Sequence, residues 1–131
     1  MKRRTENGIC EVDYVDSVRV KAARKGLPED AVLRDSAQAV KAIAHPARLK
    51  ILLALEGREL CVCDLSQILG LSMSGTSQHL RELRRLDAVE FRTEGKLVYY
   101  TLADRFLLTT AESVIEKFGG ARKRSGRKRS G

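Results

Sequence analysis

Apolar residues recur at helical spacing along most of this chain and switch to alternation only once. Val15, Val18 and Ala22 mark a short helix over residues 15–25, stopped by Gly26-Leu27-Pro28. Ala31, Val32, Ala39, Val40 and Ile43 give a second helix over 29–44. Pro46 ends it and starts a third over 46–55, with Leu49, Leu52 and Leu53 on its face. Two helices then follow closely. Residues 62–69 turn Leu65, Ile68 and Leu69 inward and stop at Gly70. Ser72 is placed to cap a helix over 74–86 whose inward residues are Leu80, Leu83 and Leu86.

The period then drops to two. Val89 and Phe91, then Leu97, Tyr99 and Thr101, alternate around Thr93-Glu94-Gly95-Lys96, which predicts a hairpin. Asp104 caps a last helix reaching Phe118, with Phe106, Leu107, Val114, Ile115 and Phe118 apolar, and Gly119-Gly120 closes it. A short helix, a tight turn and a polar second helix predict a helix-turn-helix. The hairpin after it is a wing. The fold class is therefore mainly α with a small β-hairpin, a winged helix-turn-helix. It divides into an arm and short helix over 1–28, the winged domain over 29–118, and a basic tail over 119–131 with nothing apolar to bury.

Charge sharpens this picture. The 131 residues carry a net charge of +8, but the tail alone holds six Lys/Arg and no acid. The rest is close to balanced, so a DNA-binding surface has to come from local clustering. Ser74, Thr76, Ser77, Gln78, His79 and Arg81 crowd the start of the second helix of the pair. Gln78 and Arg81 are capable base readers, and the hydroxyls suit phosphates. Arg92 and Lys96 near the wing tip complete the expected contacts with double-stranded operator DNA.

Three cysteines are an odd number for a disulfide framework. Basic Met1-Lys2-Arg3-Arg4 is followed by no apolar run, and no stretch approaches the roughly 18 residues of a membrane span. A cytoplasmic protein with reduced thiols is expected, with no membrane partner. Cys61 and Cys63 lie two apart within Glu59-Leu60-Cys61-Val62-Cys63-Asp64-Leu65. On a helix, residues two apart diverge by about 200°. Both sulfurs can converge on one ion only at a helix start, where the backbone bends. Two thiolates need a further ligand, and Cys10 is the one cysteine left. A three-sulfur set suits soft ions: Cd(II) or Pb(II), with As(III), Bi(III), Hg(II) or Zn(II) as other candidates. No Gly-rich phosphate loop, carboxylate pair or Cys/His dyad appears, so no enzyme is expected.

Taken together, these segments resemble the ArsR/SmtB-type family of metal-responsive transcriptional repressors, over roughly residues 30–117. The resemblance rests on the stretch from Ala42 to Leu52 containing His45-Pro46-Ala47-Arg48, on Glu59 to Leu65, on Ser77-Gln78-His79-Leu80, and on Arg92 to Tyr100. Cys10-Glu11-Val12-Asp13-Tyr14 is also similar to the arm of the cadmium/lead-sensing members, with Tyr14 where those carry a second arm cysteine. The resemblance implies a homodimer joined by its first and last helices. It implies a metal site of Cys61 and Cys63 completed by Cys10 from the other subunit. The unliganded dimer holds its operator, and metal releases it so that resistance or efflux genes are expressed. Arsenite sensing and a thiol redox switch are the alternatives. The last helix keeps only Asp104 of the family's second, carboxylate/histidine site, so that site is expected to be missing.

Overall fold

The computed structural model describes residues 14–119 together with Gly8 and Val12. Cys10 and the basic tail beyond Gly119 lie outside the described residues. The chain divides into two compact units between Arg34 and Asp35.

The first unit contains α1 (Ser17–Lys25). Asp16 caps it by accepting from the backbone N–H groups of Val18 and Arg19 at 3.0 and 3.1 Å. The cap takes up amide donors that a helix start otherwise leaves unpaired. Helix α2 (Asp30–Ala42) begins in this unit. Much of the predicted stripes is exposed in this chain, with Val18 at 76% and Val40 at 59%, whereas Ile43 is buried in the core and Ala39 packs against it.

The second unit holds α3 (Pro46–Ala54), β1 (Leu60–Cys61), α4 (Val62–Leu69), α5 (Met73–Arg85), β2 (Val89–Glu94), β3 (Leu97–Leu102) and α6 (Phe106–Gly119). Ile51, Leu52, Leu55, Leu65, Leu80, Leu83 and Leu108 are its largest fully buried apolar side chains. Burial of each contributes about 1.5–3 kcal/mol. Ile68, expected inside, is exposed instead, and Ile51 takes the inward place on α3 beside Leu52. Among the described residues no helix is long and apolar enough to cross a membrane.

Local chemistry fixes the helix pair. Gly70 ends α4 at φ 69°, a left-handed conformation that favours glycine. Two residues later the Ser72 hydroxyl accepts from Gly75 N–H at 2.9 Å and starts α5. Thr76 is fully buried between the helices. Its hydroxyl donates to the Ser72 carbonyl at 2.8 Å and accepts from the Ser66 hydroxyl at 3.1 Å. The α4–α5 angle is thus held by side chains as well as by the turn.

The sheet has three strands in the order β1-β3-β2, all antiparallel. Strands β2 and β3 are the predicted wing, joined through Gly95 at φ 62°. Strand β1 was not predicted, because two residues are too short to show alternation. It pairs Leu60 with Tyr100 and Cys61 with Tyr99. This pairing ties the cysteine segment to the base of the wing.

Candidate metal centre and nucleic-acid interface

Cys61 ends β1 and also forms the N-cap of α4, with extended backbone at φ −83°, ψ 167°. Cys63 follows in the first turn of that helix. Both are free thiols; Cys61 is buried at 8% exposure and Cys63 is exposed. The Asp64 carboxylate turns back to accept from Cys61 N–H at 3.2 Å, securing the strand-to-helix junction. A thiol pair at a helix start fits a soft ion by donor chemistry, since sulfur donors select such ions and the helix terminus favours anions. Among the described residues no group of three or more His, Cys, Asp and Glu side chains is gathered for a metal. Cys10, the third expected ligand, lies outside the described residues.

Helix α5 presents Ser74, Gln78 and Arg81 to solvent, with Ser77 half-buried beside them. Positions 74, 78 and 81 follow the helical repeat and share a face. Lys96 is exposed at the wing tip. Three of the expected DNA contacts are placed differently. Thr76 is removed from the surface by the buried hydroxyl chain described above, so it acts as a strut between α4 and α5. Thr76 shares the buried face of α5 with Leu80 and Leu83, a spacing that could have marked it as inward.

His79 is half-buried and engaged. Its Nδ1 accepts from Arg48 Nε at 3.1 Å, and its ring stands 4.4 Å from that of His45. His45 in turn caps α3 through Nδ1, which accepts from Ala47 N–H at 3.1 Å. Arg48 also donates from Nη1 to the Ala42 carbonyl at 3.1 Å. The cluster therefore ties the end of α2 and the start of α3 to the middle of α5. Sequence reasoning missed it, because contacts so distant in the chain leave no periodic trace.

Burial, then the neighbouring His45 and Arg48 charges, hold His79 below the usual imidazole range. The unfolded chain consequently binds a proton at His79 before the folded chain does. Stability is complete above the ordinary imidazole value and falls as pH drops below it, until the depressed folded value is passed. Chemical denaturation at about pH 7.5 and about pH 5.5 should show this loss, and the loss should shrink in His79→Gln. Equal losses in both proteins would remove His79 as its source.

Arg92 is the third displaced contact. Its Nε and Nη2 donate to the two oxygens of Glu59 at 2.8 and 2.9 Å, and Nη1 donates to Glu94 at 2.7 Å. Its guanidinium also lies 4.7 Å from the centre of the Tyr99 ring. The pairing holds the Glu59 carboxyl below the usual carboxylate range and raises Arg92 further. Two carboxylates around the guanidinium oppose its use as a simple phosphate contact.

Helices α3 to α6 with the β2–β3 hairpin make a winged helix-turn-helix DNA-binding domain. Residues 45–90 match the family described as bacterial regulatory protein, arsR family. A CadC homolog of Staphylococcus aureus, a cadmium resistance transcriptional regulatory protein, is 42% identical over 109 residues, covering 82% of this chain and 88% of that protein. A transcriptional repressor SmtB homolog of Synechocystis is 32% identical over 85% of this chain and 84% of its own. Among solved structures, HlyU from Vibrio cholerae matches with a TM-score of 0.61 at 36% identity, over 69% of this chain and 98% of that one. The homodimeric winged helix-turn-helix domain of Mb0332 from Mycobacterium bovis matches with a TM-score of 0.59 at 26% identity, over 74% of this chain and 99% of that one. The chain belongs to the arsR family. It is a DNA-binding transcriptional regulator and not an enzyme.

Proposed function

We propose that this protein is a metal-responsive repressor in which Cys61 and Cys63, with Cys10, hold a soft ion of the Cd(II)/Pb(II) class and thereby release operator DNA. The observation that carries the reading is the position of Cys61. One residue ends β1, which is paired to the wing strand β3, and caps α4, which packs on the recognition helix α5. Fixing its sulfur acts on both DNA-contacting elements at once. The cadmium resistance regulators among the relatives support the choice of ion.

The repressor acts as a homodimer. Val15 just before α1, Val18 on α1, and Phe106, Val114 and Phe118 on α6 are large apolar residues left exposed in one chain. A second copy covers them, as the homodimeric Mb0332 domain illustrates. Two recognition helices then reach successive turns of the duplex, about 34 Å apart. A shift of a few ångströms at α4–α5 spoils both half-sites together. Cys10 comes from the partner subunit's arm, so the site spans the dimer.

The test uses reduced protein and an operator duplex selected from a random-sequence pool by the metal-free protein. Cd(II), Pb(II) and As(III) are titrated while thiolate–metal absorption and duplex release are followed together. Absorption and release that rise together with Cd(II) or Pb(II) support the reading. A response confined to As(III) indicates arsenite sensing, and release by oxidant alone indicates a redox switch.

A further inference from the structure

The sheet row that carries Cys61 ends on Arg92. Cys61 of β1 stands opposite Tyr99 of β3, and Tyr99 stands opposite Arg92 of β2. Directly paired positions share a face of a sheet, so one strip of side chains runs from the thiol to the wing. Arg92 covers the middle of this strip, over the Tyr99 ring. It closes the strip by its two-pronged bond to Glu59, which lies two residues before Cys61 on the same segment.

A surface ion pair adds little to stability. Its geometry is the informative part. The planar guanidinium meets both carboxylate oxygens and an aromatic face, which leaves it few ways to move. Strand β1 offers only two residues to the ladder. The Glu59–Arg92 bond is therefore a second, independent tie between the cysteine segment and the wing, and it crosses β3 to reach β2.

We infer that Glu59 and Arg92 are positioning residues that transmit the state of the Cys61/Cys63 segment to the wing. Without the pair, the segment can hold its ion while the wing keeps its DNA-binding angle. This rests on the reading that Cys61 and Cys63 hold the inducing ion. Glu94 supports the pair by taking the remaining guanidinium edge.

The experiment uses wild type, Glu59→Gln and Arg92→Lys, with Cd(II) as the sole probe and the selected operator duplex. Three quantities are read for each: duplex affinity without metal, Cd(II)–thiolate absorption, and the ratio of duplex affinities without and with Cd(II). Glu59→Gln should keep the first two within about threefold of wild type, while the ratio falls from about 100-fold to below about 10-fold. Arg92→Lys keeps the positive charge but not the fork. It should lose the ratio in the same way, whereas a phosphate-contact role would leave the ratio intact. Ratios matching wild type in both variants overturn the inference. A wild type that binds Cd(II) and keeps its duplex is a different result, and it removes the underlying reading as well.

Discussion

Cys63→Ser should leave metal-free operator affinity within about threefold of wild type and reduce metal-induced weakening from about 100-fold to under about threefold. Cys63 is the more decisive of the pair because it is exposed in the first turn of α4 and supports no packing. Serine there keeps size, polarity and helix. Cys61 is buried at the strand-to-helix junction, so its replacement mixes ligand loss with structural loss. A hydroxyl is a poor ligand for soft ions, and one remaining thiolate with Cys10 cannot hold three-coordinate geometry. Anisotropy of a labelled duplex, with and without Cd(II), reads the result. Undiminished release from Cys63→Ser would show that the pair is not the sensor.

The combined change Gln78→Ala and Arg81→Ala should abolish specific DNA binding. Each good two-pronged contact to a base edge discriminates by about 1–3 kcal/mol, so the pair together is worth roughly 30-fold to 10⁴-fold in operator affinity. The two side chains share the exposed face of α5 and support no buried contact, so folding should be unaffected. Affinity for a scrambled duplex should change far less, because phosphates supply that binding. Competition between operator and scrambled duplex at fixed salt separates the two terms. Equal losses on both sequences would move Gln78 and Arg81 from base reading to backbone contact.

Much of this was legible because short-range chemistry carries it. Pro46 and Gly70 start and stop helices through their backbone preferences, Ser72 and Asp104 accept backbone N–H groups at helix starts, and Gly95 sits at the hairpin turn it favours. The apolar periods of α3 and α5 led to the core. The periods of α1, α2 and α6 were also real, yet much of their apolar surface is exposed in one chain. Periodicity reports that a face is apolar and is silent on what covers it.

The missed features share one cause: they depend on contacts between distant segments. Strand β1 exists only because Leu60 and Cys61 meet Tyr100 and Tyr99, forty and thirty-eight positions further on. The Arg92–Glu59 and Arg48–His79 bonds each join residues more than thirty apart. A basic residue near a wing tip or an imidazole on a recognition helix suggests DNA. The fold gives Arg92 and His79 structural partners. The sequence places the cysteine pair at a helix start. The strand beside it adds a second mechanical connection, to the wing.

The most direct measurement is the affinity of the protein for its selected operator duplex at fixed salt, without metal and with stoichiometric Cd(II), while thiolate–metal absorption is recorded on the same sample. The expected result is affinity about 100-fold weaker once absorption saturates, restored by a chelator. Saturated thiolate absorption with unchanged operator affinity would contradict metal-driven release.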